Sequence, residues 1–300
     1  MKNKIIITQG ISASGKTYWA EDFVKQNPEY ININRDDIRG ELFCDGDLDW
    51  SKYKFTKAKE NKVTETQNQR ICDAVTEGKN IIISDTNLNT KTLVRLSNLP
   101  CLVDYEFEYK VFEVDLLLAL QRDAQRKNGV GYKVITKQYK SFCDMFYSDN
   151  HHKFSSTKED AFICDLDGTI CNMKGVRTPF EWDKVCEDKP RIEIISMVRG
   201  LLSEGLQPIF VSGRDACCME QTSEWLNQYF PELDGHYKLF MRPEGDVRKD
   251  TIIKEEIFTK YIGHNYNVRV VLDDRPTVSR MFMYKLGLNV VNVGNPWLEF

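Results

Sequence analysis

The 300-residue chain is 41% hydrophobic and 29% charged, with 9 prolines and 17 glycines; this argues against a disordered protein and leaves room for two domains with separate cores. Its formal net charge is −4, carried mostly by residues 155–300 while residues 1–154 are near neutral, so bulk charge does not advertise a nucleic-acid partner. Nine scattered cysteines without C-x-x-C spacing favour a reducing cytoplasm over a zinc site or a disulfide framework, and neither a signal-peptide core nor a membrane-length apolar run is found.

Short β-branched runs alternate with longer amphipathic ones, which predicts an α/β fold. KIIITQ (4–9) reads as a buried strand and a helix starts at Lys16. YININ (30–34) and NIIISD (80–85) are further strands around a Lys- and Glu-rich helix at roughly 52–77. Residues 104–114 read as a strand, followed by a helix capped by Asp115. The polar, aperiodic stretch 148–160 marks a boundary, predicting domains at 1–152 and 153–300. A second alternation follows, with strands at 161–166, 207–213 and 268–274 and helices near 191–204, 217–229 and 250–263. The expected architecture is two doubly wound parallel-sheet domains.

Gly10-Ile-Ser-Ala-Ser-Gly15-Lys16-Thr17 fits G-x-x-x-x-G-K-[ST] between a strand and a helix. Backbone amides of such a loop, around Gly10, Ser12, Ser14 and Gly15, turn onto phosphate oxygens; Lys16 reaches the β/γ-phosphates and Thr17 ligates Mg²⁺, which implies a nucleoside triphosphate as donor. The bland alternative is a glycine-rich turn with a surface lysine. At the end of the next strand Asp36 is a candidate base for an acceptor hydroxyl and Arg39 a candidate fork for an acceptor phosphate, against a reading as helix cap and solvated arginine. Asp85 can orient Mg²⁺ or its water, with Thr86 and Asn87 contacting the acceptor or capping the loop. Arg122 and Arg126, at i and i+4 of one helical face before NGVGYK, suit a lid that neutralises a transferring phosphate; a solvated basic face would read the same.

FICDLDGTI (162–170) sets Asp165 and Asp167 two residues apart, on one side of an extended chain. One carboxylate can attack phosphorus while the other, protonated, serves the leaving alkoxide. The pattern D-x-D-G-T after a strand resembles the haloacid dehalogenase superfamily phosphatases, in which the first Asp is the nucleophile and the second the acid. Further pieces follow in order: Ser212 in VSGR, a lysine to neutralise the phosphorylated aspartate (Lys254, with Lys249 as runner-up), and Asp273-Asp274 to hold Mg²⁺ beside Asp165 and Asp167. Arg177, Arg214 and Asp250 complete the candidate set, with surface ion pairing as their other reading.

GISASGKT, NINRDDIR, SDTNLN, the arginines at 122 and 126, DLDGT, VSGR, RKDTIIKEEIF and LDDR together resemble the phage-type bifunctional polynucleotide kinase-phosphatases over essentially the whole chain. The resemblance implies transfer of the γ-phosphate of ATP to a 5′-hydroxyl of RNA or DNA and hydrolysis of a 3′-phosphate, ahead of a ligase, in a cytoplasmic homotetramer (in the host cytoplasm if phage-encoded). It implies Asp36 as kinase base, Arg39 on the 3′-phosphate beside the acceptor hydroxyl, and Arg126 at the kinase transition state with Arg122 supporting the donor. In the phosphatase it implies Asp165 as nucleophile and Asp167 as acid, supported by Arg177, Ser212, Arg214, Asp250, Lys254, Asp273 and Asp274. Ala13 departs from a position where the family often has glycine, and its Cβ is tolerated only at negative φ. The segment Asp45–Asp49 is acidic, leaving the five lysines from Lys52 to Lys62 as a basic rim. Other readings are a small-metabolite kinase fused to a metabolite phosphatase, or a nucleotide-dependent RNA-binding switch.

Overall fold

The computed structural model describes residues 2–150 and 152–295. The chain divides into two compact units, residues 1–146 and 147–300. The first runs β1 (Lys4–Gln9), α1 (Lys16–Gln26), β2 (Tyr30–Ile33), α2 (Arg35–Phe43), α3 (Lys57–Thr76), β3 (Asn80–Ile83), α4 (Thr90–Ser97), β4 (Glu106–Val111), α5 (Leu116–Ala124) and α6 (Tyr132–Phe146). Its strands form a parallel sheet in the order β2-β3-β1-β4. The isoleucine runs suit this position: alternate side chains face opposite sides of the sheet, and both sides are covered. Ile5, Ile7, Ile81 and Ile83 enter one core cluster, while Ile6 and Ile82 enter another with Ala20 of α1.

The second unit runs β5 (Glu159–Cys164), β6 (Cys171–Asn172), β7 (Lys189–Pro190), α7 (Ile192–Ser203), β8 (Gln207–Asp215), α8 (Met219–Tyr229), β9 (Lys238–Arg242), α9 (Asp250–Ile257), β10 (Tyr266–Asp273), α10 (Pro276–Arg280) and β11 (Val290–Asn292). Its parallel sheet has the order β11-β10-β5-β8-β9, and β6 and β7 pair separately and antiparallel. Cys164 at the end of β5 lies level with Leu272 of β10 and Phe210 of β8. Asp165 just past β5, Asp273 at the end of β10 and Ser212 in the carboxyl-terminal half of β8 therefore gather at one sheet edge, where open parallel sheets bind ligands.

Several boundaries differ from expectation for local reasons. The long helix α3 starts at Lys57, where the Thr56 side chain accepts from the Lys59 amide, five residues later than its lysine content suggested. The helix expected over 250–263 is α9 followed by a wider π-type turn, Phe258–Ile262. Asp115 caps α5 as expected, accepting from the amides of Leu117 and Leu118. Cys72 of α3 and Cys101 form a disulfide with a Cα–Cα distance of 5.6 Å, contrary to the expectation of free thiols; packing of α3 against the turn Pro100–Leu102 joins cysteines 29 positions apart. The other seven cysteines are free. Among the described residues no helix is long and apolar enough to cross a membrane.

Phe162 of β5 is fully buried in the cluster that contains Phe210, Trp225 and Leu272. Phe162→Ala should cost about 3–5 kcal/mol in urea unfolding of the second unit. A loss below about 1 kcal/mol would contradict this packing.

Candidate active sites

In the first unit the loop after β1 curls back at the start of α1, with Gly15 in the left-handed region at φ 98°. Ala13 also has positive φ, 63°, so the expectation that its Cβ demands negative φ is wrong. A non-glycine residue pays about 1–2 kcal/mol for that conformation, which the closed loop imposes. Lys16 is buried, and its ammonium donates to the Ile11 carbonyl at 2.6 Å and the Ser14 hydroxyl at 3.2 Å. Burial, aided by the nearby Arg126 charge, lowers its pKa to about 8. The Ser12 amide donates to the Gln138 side chain of α6 at 2.7 Å. A cavity of about 350 Å³ joins Ser12, Gly15, Lys16 and Thr17 to Asp36, Arg39, Asp85 and Arg126.

Asn34, not Asp36, caps α2, accepting from the Asp36 amide at 2.7 Å. That frees the Asp36 carboxylate, which is half exposed and takes a 2.6 Å bond from Arg39 Nη1. Arg39 spends its fork elsewhere: Nε and Nη2 donate to Glu60 of α3 at 2.9 and 2.8 Å. Arg35 also reaches Glu60, at 2.9 Å, and Tyr53 donates to it at 2.8 Å. Burial opposes the Glu60 charge, but these hydrogen bonds from Arg39, Tyr53 and Arg35 prevail and hold its pKa at about 2. Asp85 accepts from the Arg35 amide and the Gln67 side chain, and burial raises its pKa.

Asn87 is buried at φ 47° and donates to the carbonyls of Thr8, Ile83 and Asp85, which ties β1 to β3. Thr86 accepts from the Gly10 amide at 3.0 Å through its carbonyl. Arg122 lies on α5 and donates to the Ala13 carbonyl at 3.3 Å. Arg126 lies beyond the end of that helix, so the two arginines do not share one helical face. The following turn is held by buried Asp123, which accepts from the amides of Val130 and Gly131.

In the second unit Lys254 of α9 is the centre of the site. Its buried ammonium lies 2.7 Å from Asp165, 2.8 Å from Asp273 and 3.3 Å from Asp250. Lys249 is the exposed N-cap residue of α9, so the structure puts Lys254 and not Lys249 beside Asp165. The other Asp165 oxygen accepts from Thr169 at 3.1 Å. Burial is the largest influence on Asp165 and lifts its pKa above the usual carboxylate range, although Lys254 opposes the rise. Ser212 is buried and its hydroxyl accepts from the Arg214 amide. Asp250 also faces Arg242 at 3.5 Å and Arg275 at 3.7 Å.

Asp167 has different partners from Asp165, because β5 has ended and the chain turns between them. Both nonetheless line the same cavity, as their two-residue spacing predicts, although the chain turns after β5 instead of staying extended. Arg214 grips both Asp167 oxygens, at 2.9 and 2.7 Å, and Arg177 adds a 2.8 Å bond. Burial alone would raise the Asp167 pKa, but the Arg214 and Arg177 charges overcome it and lower the pKa. Asp167 thus stands as a carboxylate. Buried Asp188, which drew no attention in the sequence, joins both arginines: it accepts from Arg177 at 2.8 Å and Arg214 at 2.6 Å. Surface pairing does not describe these arginines, whose side chains are almost fully buried.

Oxygens of Asp165, Asp273 and Asp274 lie within 4.8 Å of one another, an all-oxygen donor set that fits a hard divalent cation. Gly168 leaves the room: a Cβ there would fall 2.0 Å from an Asp274 oxygen. Asp167, expected among the ligands, is outside this trio, with its oxygens held by arginines.

Residues 159–296 match the family model described as polynucleotide kinase PNKP phosphatase domain, and residues 5–146 match an AAA domain model. A protein of Autographa californica nuclear polyhedrosis virus, described as a bifunctional polynucleotide kinase/RNA ligase, is 34% identical over 99% of this chain and 43% of its own length. The chain therefore spans less than half of that relative. A chain of a Pnkp1/Rnl/Hen1 complex aligns at 24% identity over 99% of this chain and 98% of that one, with a TM-score of 0.45. A class C acid phosphatase from Bacillus anthracis with tungstate bound aligns at 14% identity over 47% and 69%, with a TM-score of 0.34. Neither structure adds to the assignment. From the two domain matches in this order, residues 5–146 are an AAA-type P-loop domain and residues 159–296 belong to the polynucleotide kinase phosphatase-domain family, of haloacid dehalogenase type.

Proposed function

We propose that the chain is an end-healing enzyme that phosphorylates 5′-hydroxyl ends of RNA or DNA from ATP and hydrolyses 3′-phosphate ends, in the cytoplasm and ahead of a ligase. The observation that carries this reading is a nucleophile-like carboxylate, Asp165, paired to buried Lys254 in one unit, while the other unit has a phosphate loop. Family likeness extends the reading to a homotetramer. Mg²⁺ fits Asp165, Asp273 and Asp274 in the second unit and Thr17 in the first; when bound it would neutralise charge on the phosphoryl oxygens.

In the kinase, Lys16 faces the donor phosphates, Asp36 takes the proton of the acceptor hydroxyl and Arg126 meets the transferring group. Glu60 sets the position of Arg39, and Asp85 sits where a water or cation beside Thr17 would be oriented. In the phosphatase, the Asp165 carboxylate attacks phosphorus as the bond to the strand's oxygen breaks, Lys254 offsets the charge of the aspartyl phosphate, and water then cleaves that intermediate to free phosphate and restore Asp165. Asp167 must carry a proton to serve the leaving oxygen. An incoming phosphate dianion competes for the fork of Arg214, which lines the cavity, and weakening its hold on Asp167 raises the Asp167 pKa toward the acid form. Asp188 keeps both arginines in place during that exchange.

Two measurements bear on this. Below about pH 8 Lys16 is charged, and above it the free loop loses that charge while bound phosphates restore it. ATP affinity measured by calorimetry should therefore weaken between about pH 7 and about pH 9, by at most about tenfold per pH unit above 8. A flat profile would argue against Lys16 as the phosphate partner. Lys16→Ala should abolish labelling of a 5′-hydroxyl oligonucleotide and spare phosphate release from a 3′-phosphorylated one, and Asp165→Asn should do the reverse. Loss of both activities in either variant would rule out separate sites.

A further inference from the structure

The cavity of the second unit is much larger than a phosphate group requires. It measures about 890 Å³, near the upper end of the roughly 300–1,000 Å³ typical of small-ligand pockets. Asp165, Asp274 and Arg214 line its polar part, while Met173, Pro179, Phe180 and Trp182 line an apolar part. Phe180 is 81% exposed, so its ring is open to solvent at this cavity.

The segment that bears it is nonetheless anchored. Arg177, three residues earlier, is buried on Asp167 and Asp188, and Asp188 closes the same segment six residues after Trp182. The Thr178 amide donates to Glu181 at 2.7 Å, which closes a turn around Phe180. Phe180 stands edge-on to Trp182, with centroids 6.2 Å apart and an interplanar angle of 86°. The Arg177 guanidinium lies 5.9 Å from the Trp182 ring centre, which couples the aromatic pair to the group that grips Asp167. Exposed Lys174 lines the same cavity and supplies charge complementary to a phosphodiester.

An exposed ring, anchored on the wall of a phosphate-handling cavity that a lysine also lines, matches the demands of a nucleotide. Base faces stack on aromatic rings with little regard to sequence, and the backbone seeks positive charge. We propose that Phe180, backed by Trp182, is the stacking platform for the terminal nucleobase of a 3′-phosphorylated strand. This rests on the end-healing reading and adds the group that holds the strand end over Asp165. Phe180 acts as a specificity residue: it discriminates a nucleotide from a phosphate ester that lacks a base, and tolerates all four bases.

Steady-state phosphate release tests this with two 3′-phosphorylated oligonucleotides, one ending in a normal nucleotide and one in an abasic residue, using the wild-type chain, Phe180→Ala and Phe180→Trp. Phe180→Ala should raise KM for the base-bearing end roughly tenfold with kcat within about twofold, and change the abasic end little. Phe180→Trp should restore the low KM. Equal loss on both ends, or no change on either, overturns the stacking role while the phosphatase reading stands. A wild-type chain that hydrolyses glycerol phosphate but neither oligonucleotide overturns the end-healing reading, and the proposal with it.

Discussion

One buried ammonium holds the second unit's chemistry together. Lys254 sits among Asp165, Asp250 and Asp273 with essentially no exposure, where a lone charge of either sign would be expensive. Burial opposes its charge, yet the three carboxylates outweigh burial and push its pKa well above the usual lysine value. Removing one partner from such a group leaves the others uncompensated, so the cluster is interdependent. The surplus of carboxylate over ammonium in turn explains why a hard cation fits at Asp165, Asp273 and Asp274.

Sheet order supplies the rest. With β5 in the middle and β10 and β8 on either side, three separate stretches of sequence deliver Asp165, Asp273 and Ser212 to one edge. α9 lays Lys254 across that edge. In the first unit β1 is likewise flanked on both sides, and the phosphate loop leaves its end beside Asp85 after β3. Both sites follow from parallel strands covered on two faces, which leave only their carboxyl ends open to ligands.

Much of this was legible in the sequence because the relevant residues lie at strand ends, and β-branched runs such as KIIITQ and VRVVL mark those ends. The phosphate loop and the aspartates of DLDGT and LDDR belong to this class. What was not legible depends on groups distant in the chain. Glu60 lies inside a helix that reads as solvated and charged, yet it binds Arg35 and Arg39 from another helix. Asp188 sits in the charged string CEDK, where nothing distinguishes a buried carboxylate from its exposed neighbours. Asp167 keeps its carboxylate charged because Arg214, 47 residues on, grips both its oxygens. Arg126 fell off its expected helical face because α5 ends two residues earlier than the pattern suggested.

In the proposed phosphatase, Asp165, held by Lys254, receives the phosphoryl group. Acid quenching during turnover of a 3′-phosphorylated oligonucleotide carrying a radiolabel on that phosphate, followed by peptide mapping, tests it most directly. The account predicts an acid-stable, hydroxylamine-labile label on the peptide that contains Asp165. Steady phosphate release with no labelled peptide, or a label on any other residue, would contradict it.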